Sequence, residues 1–113
     1  MRRAANVDVN QREIVNAVRA AGLHVALTHQ LGRGFPDCVV TGYSLPLNAV
    51  AAVFVEIKAG NDKLTEREQE WHAAYPDGGP LIVARSADDV LRWFGRIEEV
   101  PAYPPFVAEE SYP

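Results

Sequence analysis

The sequence predicts an α/β-type chain of α+β layout, a mixed sheet flanked by helices in the order α-β-β-β-α-β-α. Three observations carry that expectation. Apolar residues recur at helical spacing over residues 10–21, two apolar runs of strand length end at Lys58 and Ala84, and Gly- and Pro-rich clusters separate the segments.

Ile14, Ala17, Val18 and Ala21 fall at the i, i+3, i+4, i+7 spacing of an amphipathic helix, and Gly22 supplies its stop. Residues 23–31, rich in Leu, Val and Thr, read as a first strand that ends in the loop Gly32-Arg33-Gly34. A second strand is expected over residues 37–41, a turn containing Pro46 over 42–48, and a third, most apolar strand over 49–58. Thr65-Glu66-Arg67-Glu68 fits a capping box, so a helix should begin there and run to about Tyr75. The cluster at residues 76–80 breaks it, Leu81–Ala84 gives a short buried strand, and residues 86–89 cap a last helix that runs to about Arg96. There is no internal repeat.

With 113 residues, 48% hydrophobic and 23% charged, residues 1–97 make one domain with a modest core. Residues 98–113, with four prolines and four acids, read as an irregular acidic tail. No apolar run reaches the roughly 20 residues of a membrane helix, and residues 1–6 do not lead into a signal-peptide stretch, so no membrane and a cytoplasmic location are expected. The single cysteine, Cys38, excludes an internal disulfide and a cysteine-rich zinc site and is expected to pack as a small apolar residue. The net charge of −4 argues against a nucleic-acid partner only until its distribution is considered. Four of the 15 acids lie in the tail, which has no Lys or Arg, so eleven acids face eleven bases in the rest. Arg2, Arg3, Arg12, Arg19, Arg33, Lys63 and Arg67 are then candidates for phosphate contacts, each with the plainer alternative of a solvated surface charge.

Glu56 and Lys58 stand two apart at the end of the third strand, so they share one face while Ile57 turns into the core. Buried charge costs free energy unless it is paired or holds a metal, which makes this strand end a functional candidate. Upstream, Pro36-Asp37 opens the second strand, where Asp37 is either a ligand or a turn residue. Asn10-Gln11-Arg12-Glu13 is a plausible capping pattern, with Glu13 at the third position of the first helix. Trp71 and Trp93 are expected in the core, and His24, His29 and His72 have no metal-ligand spacing and read as structural.

Taken in order, Gln11-Arg12-Glu13, Arg33-Gly34-Phe35-Pro36-Asp37, Glu56-Ile57-Lys58, Leu64-Thr65 and Gln69-Glu70-Trp71 resemble the PD-(D/E)xK nuclease superfamily. Within it they are similar to the small stand-alone VRR-NUC proteins of phages and bacteria, over about residues 10–94. The resemblance implies a restriction-endonuclease-like core and a Mg2+ or Mn2+ cofactor. Magnesium prefers oxygen ligands and keeps several waters, so Asp37, Glu56 and the Ile57 backbone carbonyl would suffice as protein ligands, with Glu13 as a further metal or supporting group. Lys58 would orient or deprotonate the attacking water and stabilise developing charge, and Gln69 would bind water or phosphate, or else is a surface glutamine. Arg33 and Gly34 would contact the phosphate, with Arg12, Lys63 and Arg67 along the DNA. The expected activity is structure-specific DNA endonuclease action by a homodimer on branched DNA, as in Holliday-junction resolution during repair and recombination. A flap-, nick- or end-directed nuclease, a restriction-like subunit and a non-catalytic DNA- or protein-binding module are the alternatives.

Overall fold

A computed structural model describes residues 2–97, with side chains from Val9 onward. Helix α1 spans Arg2–Ala20, followed by β1 His24–Leu27, a 3-10 turn at His29–Leu31, β2 Cys38–Ser44, β3 Ala49–Ile57, α2 Glu66–Ala74, β4 Leu81–Ala84 and α3 Ala87–Trp93. The strands form one mixed sheet in the order β1-β2-β3-β4, antiparallel except for the parallel pair β3–β4. The element order is the expected one. Several boundaries differ, each for a local reason. The side chains of Arg2 and Arg3 and the acidic tail lie outside the described residues.

Helix α1 begins at Arg2 instead of Asn10. It ends as expected: Gly22 adopts φ 90°, its N–H donates to the Arg19 carbonyl, and the Leu23 N–H reaches back to Val18. This double bond pattern is the Schellman motif, which needs a left-handed residue that glycine supplies without a Cβ clash. Gly95, with φ 77°, closes α3 in the same way through Arg92 and Leu91, so α3 stops before Arg96.

The first strand is half its expected length because Thr28 redirects the chain. Its N–H still donates to the Asp37 carbonyl, but its hydroxyl donates to the Pro36 carbonyl and its own carbonyl accepts from Leu31, which starts the 3-10 turn. The second strand is longer than expected and runs through Gly42 to Ser44. Gly42 serves there because the Leu23 side chain lies where a Cβ would project. The turn shrinks to residues 45–48, with Pro46 at its second position and the Asn48 N–H donating to the Leu45 carbonyl.

Strand β3 is central, and from Val53 onward it is covered on both faces. Val53, Val55 and Ile57 join Ile14, Val15 and Val18 of α1 and Val90 and Phe94 of α3 in the core. The alternate residues face α2, where Phe54 meets Phe35, Trp71 and Tyr75 in an aromatic cluster with centroids 5.2–5.6 Å apart. Trp71 is thus a packing residue, as expected. Cys38 is buried too, and burial, then the negative charges of Asp37 and Glu56, pushes its thiol up to about 12, which leaves no reactive thiolate.

The capping box is present in full: Thr65 Oγ1 accepts from the Glu68 N–H and Glu68 Oε1 accepts from the Thr65 N–H. At α3 the expected cap is only half right. Ser86 occupies the cap position, but its side chain makes no capping bond, and Asp89 instead reaches back to accept from the Arg85 N–H at 2.8 Å. Among the described residues no helix is long and apolar enough to cross a membrane.

Candidate active site

Antiparallel register sets the centre of the site. Cys38 pairs with Val55, and the Asp37 N–H donates to the carbonyl of that same Val55 at 3.0 Å while its own carbonyl accepts from Thr28. Two residues thus stand against one in a bulge that brings the Asp37 carboxyl beside that of Glu56. Glu56 lies on the α2 side of the sheet, where His72 and Glu68 meet it. Asp37 Oδ2 accepts from the Ile57 N–H at 2.7 Å, which fixes that carboxylate across the strand end. The Ile57 carbonyl leaves the strand on the same side as its N–H, toward Asp37. Lys58 continues the strand by one bond, its N–H donating to the Ala84 carbonyl at 3.0 Å, while its own carbonyl accepts from the Asn10 amide.

Helix α2 closes this face with Glu68 and His72, one turn apart. Lys58 Nζ pairs with Glu68 Oε1 at 2.7 Å, so the capping box and the ion pair share one oxygen. Glu56 is 1% exposed, and its Oε1 has no hydrogen-bond partner; nor has His72 Nε2, 3.8 Å away. Burial, then the negative charges of Asp37 and Glu68, pushes the Glu56 carboxyl up to about 10. Burial, opposed by Glu68 and reinforced by Lys58, holds His72 below its ordinary value. At neutral pH both are uncharged, so their approach is not an ion pair. For Glu68, burial raises the value, but hydrogen bonds from Lys58 and the Thr65 backbone outweigh it and hold the carboxyl below the usual range.

Of the expected site residues, Asp37, Glu56, Ile57 and Lys58 come together. Glu13 does not join them: it is exposed on α1 and lines a shallow cleft with Arg85 and Ser86, with no contact to Asp37 or Glu56 among the described residues. Gln69 is exposed as well, its amide donating to the Leu64 carbonyl at 3.0 Å. Its neighbours Glu68 and His72 occupy the inner face instead. Sequence reasoning treated Glu68 as a cap and His72 as structural; their i, i+4 spacing directly behind the Glu56-x-Lys58 strand was the signal that could have found them.

The loop Gly32-Arg33-Gly34 holds three successive positive φ angles of 67°, 58° and 81°. The backbone that Gly34 approaches is the protein's own: a Cβ there would lie 2.3 Å from the Arg67 carbonyl oxygen. Arg33 and Arg67 therefore flank the start of α2, both exposed, with exposed Lys63 just before it. Gly34→Ala is expected to destabilise the protein by about 2–3 kcal/mol, through the left-handed backbone and the forced displacement of the first turn of α2. Chemical denaturation checks this, and an unchanged midpoint would contradict the contact.

Among the described residues no group of three His, Cys, Asp or Glu side chains is arranged to hold a metal ion. A divalent ion would rest on two carboxylates, a backbone carbonyl and water, a donor set that suits magnesium. The unpartnered Glu56 oxygen, crowded by two further carboxylates, fits such an ion, because a cation relieves the repulsion that a proton relieves in its absence. Geometry thus defines the chain as an α+β protein with a carboxylate pair and an ion-paired lysine buried at one end of its sheet. Comparison with protein-family models, curated proteins and solved structures finds no match for it.

Proposed function

We propose that this chain is a Mg2+- or Mn2+-dependent DNA endonuclease with a PD-(D/E)xK core, acting on branched DNA in the manner of a Holliday-junction resolvase. The reading rests above all on the Asp37 and Glu56 carboxyls, brought side by side at the β2–β3 end with Lys58 two residues on, one buried carboxyl oxygen having no partner. The ordered resemblance to the VRR-NUC family adds to it. The element order is compatible with that core.

A bound divalent ion supplies positive charge to the phosphate and acidifies its water. The chain's own residues do the rest. The Ile57 N–H orients Asp37, and Glu56, in its deprotonated form, would be the second carboxylate to hold the ion. Lys58, an ammonium with three donors, spends one on Glu68 and keeps two for phosphate oxygens or the attacking water. Glu68 is a positioning residue that holds Lys58 in place. His72, uncharged at neutral pH, sets its buried, unpartnered Nε2 3.8 Å from Glu56 Oε1. Arg33, Lys63 and Arg67 at the mouth suit backbone phosphates, and such contacts carry no base sequence, which agrees with recognition of DNA shape. A homodimer would set two such centres on two strands of a junction, in a cytoplasmic setting.

The test is incubation of the full chain with junction, flap, nicked and linear duplex DNA, with magnesium, manganese or chelator. Junction DNA should be cut only with a divalent ion, and Lys58→Ala should lose cleavage by about 10²-fold or more. Binding without any nicking, with Lys58→Ala behaving like the parent, would leave a non-catalytic DNA-binding module. Sedimentation of the same protein should give the mass of a dimer.

A further inference from the structure

We propose that the cleft between α1 and the β1 to 3-10 segment is a second phosphate site, which holds the DNA backbone a short step from the cleavage centre. It rests on the nuclease reading for the source of its phosphate. The cavity measures about 400 Å³, room for a phosphate with its sugar. Gln11, Arg12, Val15, Asn16 and Arg19 fall at helical positions that present one face of α1, and Leu27 and His29 close the other side.

Composition gives the ligand class. Arg12, Arg19 and His29 bring cationic or N–H donor groups, Gln11 and Asn16 bring amides, and no acidic side chain among the described residues lines the cavity. That is selective in a chain with more acids than bases. Arg19 spends one N–H on the Val25 carbonyl at 3.0 Å, which anchors its guanidinium and leaves its other donors for a ligand. Arg12 is exposed and has no partner among the described residues. Val15 and Leu27 add an apolar floor, and Leu27 is 48% exposed, a surface suited to the carbon face of a sugar.

Position ties this cleft to the centre. Leu27 pairs with Cys38 and Cys38 with Val55, so Leu27, Asp37 and Glu56 lie at the same end of the sheet. Neighbouring strands are about 4.8 Å apart, so β1 lies about 10 Å from β3. The cleft is on the α1 face of this sheet end while Glu56 faces α2, so a DNA strand joining them passes around the end of the sheet. One strand of DNA can span that gap within a few nucleotides, since its phosphates recur along the backbone.

The experiment titrates the full chain, in chelator so that no strand is cut, with junction DNA over a range of salt and separately with inorganic phosphate followed by amide NMR. Cleavage by the parent is measured in parallel. Arg12→Glu should weaken DNA binding about tenfold, and removal of one phosphate contact should reduce the salt slope by about one. Phosphate should shift the amides of residues 11, 16 and 29 in the parent and not in the variant. If the parent cuts DNA while Arg12→Glu keeps the parental affinity and slope, this inference fails and the nuclease reading stands. If the parent neither binds nor cuts DNA, both fail. Because Arg12 is exposed, the variant is expected to fold, and circular dichroism with a parental melting curve verifies this.

Discussion

Glu56→Gln is expected to make the metal-free protein more stable than the parent, by a margin that widens as pH rises. Folding lifts the Glu56 carboxyl from 4.5 to about 10, so between those values the folded chain binds a proton that the unfolded chain has released. Stability from this group is therefore complete below about pH 4.5 and is lost progressively as pH climbs toward 10. Each pKa unit corresponds to about 1.4 kcal/mol, so the loss across the window is on the order of several kcal/mol. Glutamine keeps the shape and removes the ionisation. Thermal melts of both proteins in chelator, at about pH 6 and about pH 9, check this; parallel curves would refute the raised carboxyl. Magnesium added to the parent at the higher pH should close most of the gap, because metal binding displaces the same proton. Glu68 acts in the opposite sense. Its lowered carboxyl contributes stability above about pH 4.5 that is lost on acidification, so acid weakens the Lys58–Glu68 pair.

Asp37→Asn should leave the fold intact and lower cleavage by about 10²–10³-fold, the size of loss when one electrostatic stabiliser of a transition state is removed. The amide oxygen of asparagine can still accept from the Ile57 N–H, so the strand end keeps its geometry. Asp37→Ala makes the instructive contrast. It leaves the Ile57 N–H without its acceptor at a nearly buried position, at a cost of about 1–3 kcal/mol. An asparagine variant that melts like the parent and fails to cut assigns Asp37 to chemistry. One that melts like the alanine variant assigns it to structure, and one that cuts at the parental rate removes it from the site altogether.

Local signals made most of the fold legible. The apolar periodicity of α1, the run of β3, the Thr65 capping box and the glycine stop at Gly22 each act over a few residues, and each marks its element, although α1 starts at Arg2, well before the periodic segment. What escaped depends on distant partners. Gly42 reads as a turn residue until Leu23 is seen to cover it, and the strand stops at Leu27 because the Thr28 hydroxyl donates to Pro36 and its carbonyl accepts from Leu31. The same division holds at the site. Glu56 and Lys58 follow from strand alternation, whereas the bulge that brings Asp37 to them is set by tertiary hydrogen bonds, and Gln69 against Glu68 is a matter of helix phase. A single step of about 100° along α2 decides which side chain meets Lys58.

The parallel pairing of β3 with β4 also has a consequence in time. Asp37 and Glu56 lie on a hairpin whose strands are joined by the short turn at residues 45–48, a contact of low sequence separation. Lys58 meets Glu68 and β3 meets β4 only after the crossover through α2 has closed. Hairpins form in microseconds, and longer closures carry an entropy that later contacts must repay. Substitutions at the β2–β3 turn are therefore expected to slow refolding, and those in α2 to speed unfolding. Stopped-flow rates in denaturant separate the two. By this order Asp37, Glu56 and Lys58 are assembled first, and α2 then brings a third carboxyl, Glu68, and shuts Glu56 away from water, so the final docking of α2 is the step most responsive to pH.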